Sequence, residues 1–195
     1  ISDLYTNLVS SYKNPDSIVI HGNESNTFFD SSLSSFLHLD DISLMMSMDL
    51  LTYLPDDILV KVDRASMGVS LETRAPMLNH KLVEFAYNLP KKYKLRSNTS
   101  KWLLREVLYR NVPKHLIERP KVGFAVPIGE WLRTSLKEWA SDLLSEETIK
   151  KQGFFDYAKI YQCWQEHQSS KYNWEHFLWN VLIFQSWYKE FHEKG

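Results

Sequence analysis

The centre of the chain, Asp49 to His80, reads DLLTYLPDDILVKVDRASMGVSLETRAPMLNH and crowds ionisable side chains among residues of core type. Asp56, Asp57, Asp63 and Glu72 supply negative charge, and Lys61, Arg64 and Arg74 supply positive charge. Such a set can steady charge that develops during a reaction, or it can be a solvated face in which Asp57 and Lys61 pair at i,i+4. A second stretch, ERPKVGFAVPIGEWL from Glu118, places Lys121 and Gly123 between Pro120 and Pro127, just after Arg119. The two prolines exclude regular helix there. Gly123 lets the backbone approach a ligand or take a positive φ.

Helical spacing has to position the first group. Ile58, Val62, Ala65 and Val69 recur at steps of four, three and four, one face of a helix entered at Pro55, while Asp57, Lys61 and Arg64 share a second face. Asp56 and Asp57 suit the positive end of its dipole. Ala65, Ser66, Gly68 and Ser70 are small enough for a neighbouring backbone to lie close. Pro76 ends the helix at about Ala75, so Glu72 and Arg74 sit on a loop.

The run TYLPDDILVKVDRASMGVSLETRAPMLNHKLVEFA resembles the C-terminal part of the synthetase domain of glutamine-dependent asparagine synthetases. The resemblance continues through Lys101-Trp102-Leu103-Leu104-Arg105 and Arg119-Pro120-Lys121-Val122-Gly123-Phe124, so it covers about Asp49 to Trp131. One departure is Pro76-Met77-Leu78-Asn79, where the family usually has Pro-Phe-Leu-Asp; Asn79 keeps the turn preference and loses the charge.

The resemblance implies adenylation of a carboxylate by ATP with Mg2+, giving aspartyl-AMP and pyrophosphate, followed by displacement of AMP by ammonia drawn from glutamine. It implies Lys121, the lysine of the family's Arg-x-Lys loop, as the catalytic residue that contacts the phosphates, with Arg119 supporting the loop and Gly123 beside it. Either Asp56 or Asp57 would stand near the reacting carboxylate. Arg64, Glu72, Arg74 and Lys101 would form an ion network shaping the pocket. The implied partners are small molecules: aspartate or another carboxylate, ATP and ammonia.

Several parts of such an enzyme are not found in this chain. A nucleophilic N-terminal cysteine, a Ser-Gly-Gly-x-Asp-Ser phosphate loop and a Ser-Gly-x-Gly-x-Asp-Glu segment carrying a magnesium ligand are all missing from it. The expected fold is therefore mainly α, the helical C-terminal portion of a PP-loop (adenine nucleotide alpha hydrolase-like) α/β synthetase domain. Residues 1–195 would form that portion, with the glutaminase domain, ATP-binding loop and main magnesium ligands upstream. The opening at Ile1 rather than Met agrees with a fragment, expected to be inactive alone. Competing readings are a relative that amidates another carboxylate, such as a uronic acid or a lactam precursor, and a non-catalytic helical interaction module.

Composition narrows the classes. Hydrophobic residues make up 44% and charged residues 24% of 195, and the formal net charge is -1, which gives no electrostatic footprint for nucleic acid or an acidic membrane surface. No apolar run approaches the roughly 20 residues that span a bilayer. The single cysteine, Cys163, suits a reducing, cytoplasmic setting. His21 and His38 lack partners at a metal-binding spacing, so no metal ligand is assigned here. A homodimer stays open.

Helix periodicity and punctuation predict the remaining elements. Asp3 to Tyr12 reads as a helix capped by Ser2, and Asn14 to Ser35 as a loop holding Ile18-Val19-Ile20. Asp41 or Ser43 caps Leu44 to Leu54, with Met45, Met46 and Met48 filling core. His80 to Asn88 is helical, Lys91, Lys92 and Lys94 make a solvated turn, and Thr99 or Ser100 caps Lys101 to Asn111 above a buried stripe of Leu103, Leu104, Val107 and Leu108. Pro113 to Glu118 is one turn. Trp131, Leu132, Leu136, Trp139, Leu143 and Leu144 predict one amphipathic helix. Ser145, Asp156 and Asn173 open the last three, with Gly153 ending the first of them. Six of the seven Trp fall in this final third, which predicts an aromatic helical core.

Overall fold

The structure, a computed structural model, describes residues 2–23, 33–36, 38–120 and 126–192. Lys121, Gly123 and Phe124, and residues 24–32 of the expected loop before Ser35, lie outside the described residues. The chain divides into two compact units, one of residues 1–27 and 124–195 and the other of residues 28–123. Helices dominate both, and among the described residues the one sheet is a two-stranded antiparallel ribbon.

The first unit owns a continuous core. Helix α1 (Ser2–Val9) is followed by a 3-10 turn at Pro15–Ser17, and the chain returns as α8 (Ile128–Arg133), α9 (Lys137–Leu143), α10 (Glu146–Gln152), α11 (Tyr157–Gln168) and α12 (Glu175–Phe191). Ile160, Cys163, Trp164 and His167 make the buried stripe of α11, and Phe177, Leu178, Val181, Leu182 and Gln185 that of α12. Both follow the 3.6-residue period. Leu132, Ile149, Ile160, Leu178 and Leu182 are fully buried at their centre.

Local chemistry sets the boundaries. The Ser145 hydroxyl accepts from Thr148 N–H and the Asp156 carboxylate from Lys159 N–H, so both expected caps are present. Gly153 closes α10 at φ 73°, which glycine adopts without strain. At the start of α12, Asn173 Oδ1 accepts from Glu175 N–H, with Trp174 at the cap position. The helix expected through Trp131 to Leu144 is broken instead. Thr134 leaves helical geometry at φ -126° and ψ -96°, while its hydroxyl donates to the Glu130 carbonyl, the side-chain-to-backbone competition that bends helices at Thr and Ser.

The apolar Ile18-Val19-Ile20 run is not a free loop. Ile18 is buried, Val19 bridges Phe155, Ile20 N–H donates to Phe154 O, and Asp156 N–H donates to Ile18 O, so this β-branched run docks antiparallel beside the start of α11. Helix α1 ends at Val9, three residues before its expected end, and includes Ser2 rather than being capped by it. Tyr5 is buried and Tyr12 packs on Phe177, whereas Leu4 and Leu8 are exposed.

The second unit is built around a nearly continuous helical passage. Asp40, not Asp41 or Ser43, caps α2 (Asp41–Leu51), accepting from Ile42 and Ser43 N–H; Lys91 donates to the same carboxylate at 3.0 Å and holds its pKa down to about 2. Thr52 kinks the chain, a π-helical turn spans Leu54–Leu59, and α3 runs Val60–Met67. Pro55 is the second residue of that π-helical turn, so the expected helical entry is present, as a π turn rather than an α-helix. Its missing N–H and its clash with the preceding turn are the usual reasons a helix widens. Helix α3 stops at Met67, so the residues up to Ala75 form a longer loop than Pro76 alone predicts.

A 3-10 turn at Pro76–Leu78 leads to α4 (His80–Asn88), capped by Asn79 through Lys81 N–H. The expected solvated turn at Lys91–Lys94 is a short helix, α5. Strands β1 (Leu95–Arg96) and β2 (Thr99–Ser100) pair across Ser97 and Asn98, both at positive φ as a tight hairpin requires. Helix α6 (Trp102–Leu108) and the single turn α7 (Lys114–Ile117) complete the unit. Lys101, at φ 57°, precedes α6 in place of a Thr99 or Ser100 cap.

The apolar faces predicted here are not covered. Val62 and Val69 on the expected buried face of α3 are exposed, Val69 by 75%, and so are Leu104, Val107 and Leu108 of the expected α6 stripe. Leu44 and Met48 are the buried hydrophobic side chains among the described residues of this unit; Met46 is exposed. Helical spacing identifies a face that could be buried, but burial also needs a second surface.

Two predictions follow from the core of the first unit. His167 is fully buried, and burial holds its pKa below the ordinary 6.5, helped by the nearby Arg133 charge. A histidine whose folded pKa is depressed resists protonation until the fold gives way, so its contribution is complete above about pH 6.5 and is lost as pH falls from there. Tryptophan fluorescence should show the thermal midpoint falling between pH 7 and pH 5, and falling less in His167→Asn, which is also less stable at pH 7. Gln185 is fully buried, and among the described residues neither its Nε2 nor its Oε1 has a hydrogen-bond partner. Gln185→Met should raise the unfolding free energy by about 1–2 kcal/mol in urea titration; a loss would show that the amide is satisfied.

Candidate functional site

The charged residues of the central stretch come together as pairs, not as one network. On the π-helical turn and α3, Asp57 Oδ1 and Lys61 Nζ are 3.5 Å apart, with both side chains at least half exposed. Asp56 and Arg64 are exposed on the same passage. π-helical turns recur at functional sites, and this one carries both candidate acidic residues. On the loop after α3, Arg74 Nη2 and Glu72 Oε1 are 2.6 Å apart and the side chains are 85% and 69% exposed. Arg64 and Lys101 enter no ion pair among the described residues, so the expected network of Arg64, Glu72, Arg74 and Lys101 is not closed among them. Arg119 is exposed after α7, and Lys121 and Gly123 are outside the described residues.

The structure assembles a polar cluster that spacing alone did not single out. The Arg105 Nη1 group donates to Glu118 Oε1 at 2.6 Å and to the Tyr109 hydroxyl at 3.3 Å, and the Tyr109 hydroxyl donates to the same Glu118 oxygen. Arg105 Nε donates to the Ser100 carbonyl at 3.0 Å, and Lys114 Nζ lies over the Tyr109 ring at 5.7 Å from its centre. Tyr109's hydroxyl, then the Arg105 charge, hold the Glu118 carboxyl below its ordinary pKa; the same hydroxyl and the Glu118 charge raise Arg105. The cluster faces a cleft of about 340 Å³, lined also by Trp102 and Asn98. Its one legible signal is Arg105 on α6 and Tyr109 at its C-cap, spaced i,i+4, because Glu118 is brought to them only by the turn at α7.

This arrangement offers fixed cations and hydrogen-bond donors beside the segment that leads to Lys121, which suits stabilising negative charge. Among the described residues no group of three or more His, Cys, Asp or Glu could hold a metal ion, so these residues do not by themselves fit the implied Mg2+. No helix among them is long and apolar enough to cross a membrane. His21 and His38 take no part in the cluster.

Comparison with known proteins places this chain in a family. The family model described as asparagine synthase matches residues 1–189. Over 162 residues, 83% of this chain, it is 34% identical to "Asparagine synthetase [glutamine-hydrolyzing] 1" of Bacillus subtilis (strain 168), covering 25% of that protein. It is 38% identical over 155 residues to a "Putative asparagine synthetase [glutamine-hydrolyzing]" of Mycobacterium bovis, covering 79% of this chain and 24% of the relative. More distantly, it is 28% identical over 113 residues, 54% of this chain and 17% of the relative, to "Amidase chry2" of Gibberella zeae. No solved structure matches the chain. The chain spans about a quarter of the length of the asparagine synthetases it matches, and it belongs to the asparagine synthase family.

Proposed function

We propose that this chain is the C-terminal helical part of a longer, ATP-dependent ligase that converts aspartate to asparagine. The family match over residues 1–189 carries this reading. A carboxylate oxygen of aspartate attacks the α-phosphorus of ATP, the bond to pyrophosphate breaks, and aspartyl-AMP forms. Ammonia released from glutamine then attacks the acyl carbon, AMP departs, and the nitrogen gives up a proton. Negative charge gathers on phosphate oxygens in the first step and on the acyl oxygen and departing phosphate in the second.

In this scheme Lys121 carries the charge-stabilising role, as a point cation with three rotatable donors. Arg119 and Gly123 shape its loop, and Asp56 or Asp57 faces the substrate end. Arg64, Glu72, Arg74 and Lys101 line the pocket once the rest of the protein is in place. The sparse core of the second unit, with Leu44 and Met48 its buried hydrophobic residues among those described, supports a longer protein that covers α3 and α6. The glutaminase part, the ATP-binding loop and the magnesium ligands belong to that remainder, in a cytoplasmic enzyme. The similarity to a protein named an amidase supports, as a second reading, the same chemistry on a different carboxylate.

Two measurements test the proposal. The 195-residue chain alone, given aspartate, ATP, magnesium and ammonia, should form neither asparagine nor AMP; either product would show that it holds a complete site. In the intact protein, Lys121→Ala should lower pyrophosphate release about a hundredfold, the scale of losing one charge-stabilising contact. Unchanged release would make Lys121 an ordinary loop lysine.

A further inference from the structure

Lys101 holds a backbone conformation that its own side chain does not favour. Its φ is 57° and its ψ 35°, the left-handed geometry in which the Cβ of an L residue crowds the following carbonyl oxygen. Ser97 and Asn98 also take positive φ, but they form the hairpin tip, where a tight turn requires it. Lys101 lies beyond the second strand, directly before α6. An ammonium group at that end of a helix also meets the positive end of the dipole. Neither feature helps the fold. The side chain is exposed and enters no ion pair among the described residues, so nothing there offsets the strain.

Two hydrogen bonds maintain this conformation, and both come from Arg105. Rotation about φ of Lys101 turns the peptide plane that holds the Ser100 carbonyl, and rotation about ψ turns the plane that holds the Lys101 carbonyl. Arg105 Nε donates to the Ser100 carbonyl at 3.0 Å, and the Arg105 backbone N–H donates to the Lys101 carbonyl at 3.0 Å. One residue thereby fixes both torsions. Its guanidinium is held in turn, with Nη1 donating to Glu118 Oε1 at 2.6 Å and to the Tyr109 hydroxyl at 3.3 Å. The rigid fork suits this task, because Nε and Nη1 keep fixed and different directions. On the other side of Lys101, the Trp102 ring packs with the Arg96 guanidinium, 4.9 Å from the ring centre, and with the Tyr93 ring. Strained backbone over-determined by its surroundings is a recurrent means of presenting a functional group in one direction.

We propose that Arg105 is a positioning residue that locks Lys101 in left-handed geometry and so sets the direction from which its ammonium group meets a phosphate or carboxylate of the substrates. This rests on the reading that Lys101 lines the substrate pocket, and the test keeps the two apart. In the intact protein, Lys101→Gly should unfold no earlier than the unaltered protein, since glycine takes this conformation without strain, while pyrophosphate release falls about a hundredfold. Arg105→Lys keeps the charge and the backbone bond and loses the fork. It should lower kcat for pyrophosphate release about tenfold, with KM for ATP changed less than about twofold, as a small misplacement of a reacting group does. Tyr109→Phe leaves the bond to Ser100 in place and should lower kcat less. On the Lys101→Gly background Arg105→Lys should lower it no further, because no ammonium group remains to be aimed.

Hydrogen exchange supplies a readout that does not depend on catalysis. In Arg105→Lys exchange should quicken across residues 99–103 and stay unchanged across α9 to α12. Unchanged exchange at 99–103 overturns the proposal, as does a loss of rate that persists in full on the Lys101→Gly background. If Lys101→Gly itself leaves pyrophosphate release unchanged, the pocket reading of Lys101 fails instead, and quicker exchange at 99–103 still establishes Arg105 as the residue that holds this backbone.

Discussion

The neutral imidazole of His167 is the constraint on which the first unit depends. Its Nδ1 accepts from Trp174 N–H at 3.2 Å, so the proton must sit on Nε2, which donates to the Gly129 carbonyl at 3.1 Å. One fully buried side chain on α11 thereby fastens the entry of α12, where the Trp174 N–H is a donor that helix formation leaves unpaired, and the first turn of α8. Protonation would remove the acceptor for Trp174 and set a cation beside Arg133, whose Nη1 is 3.3 Å from Nε2. Gly129 belongs to the same joint. Its N–H donates to Glu175 Oε2 at 3.1 Å, and a side chain there would have to push that carboxylate aside and so disturb this bond between α8 and α12.

The aromatic density of the last third follows from this joint. Trp174 sends its indole N–H to Glu166 Oε2 at 2.9 Å and its ring toward Tyr12 and Phe177, while Phe154 and Phe155 meet Phe184 edge to face. Rings of this size cover the gaps between short helices, and their polar tips find partners at the margin. Cys163, buried on the same face of α11 as His167, has its pKa pushed up to about 11 by burial and by the Glu166 charge. The thiol packs here as a small apolar group.

What could be read from the sequence depended on how local the cause was. The caps at Ser145 and Asp156, the stop at Gly153 and the bounds of α4 were legible because each needs only residues within one turn. The break at Thr134 and the π-helical turn at Pro55 were not, since an unbroken helix satisfied the same apolar spacing. Ile18-Val19-Ile20 was misread because its partner lies more than 130 residues later. The joint at His167 joins three helices and the cluster at Glu118 needs the turn at α7 to close it, so neither followed from spacing within one element. For the candidate site, the resemblance identified the residue types, and the structure showed Asp57 with Lys61 and Glu72 with Arg74 as separate exposed pairs.

The two units divide the labour along a physical line. The first buries Leu132, Ile149, Ile160, Leu178 and Leu182 completely and can hold its helices through its own core. The second carries every residue assigned to chemistry, and its described side chains are mostly exposed, with charged pairs that salt can screen. Residues that must act on phosphate and carboxylate groups cannot also be sealed in an apolar interior, because burying them unpaired would neutralise or displace them. The cluster of Arg105, Tyr109 and Glu118 fits that division: three hydrogen bonds join its side chains in a setting where hydrophobic burial fixes little. The rigidity that the first unit draws from packing, the second draws from geometry at a few polar joints.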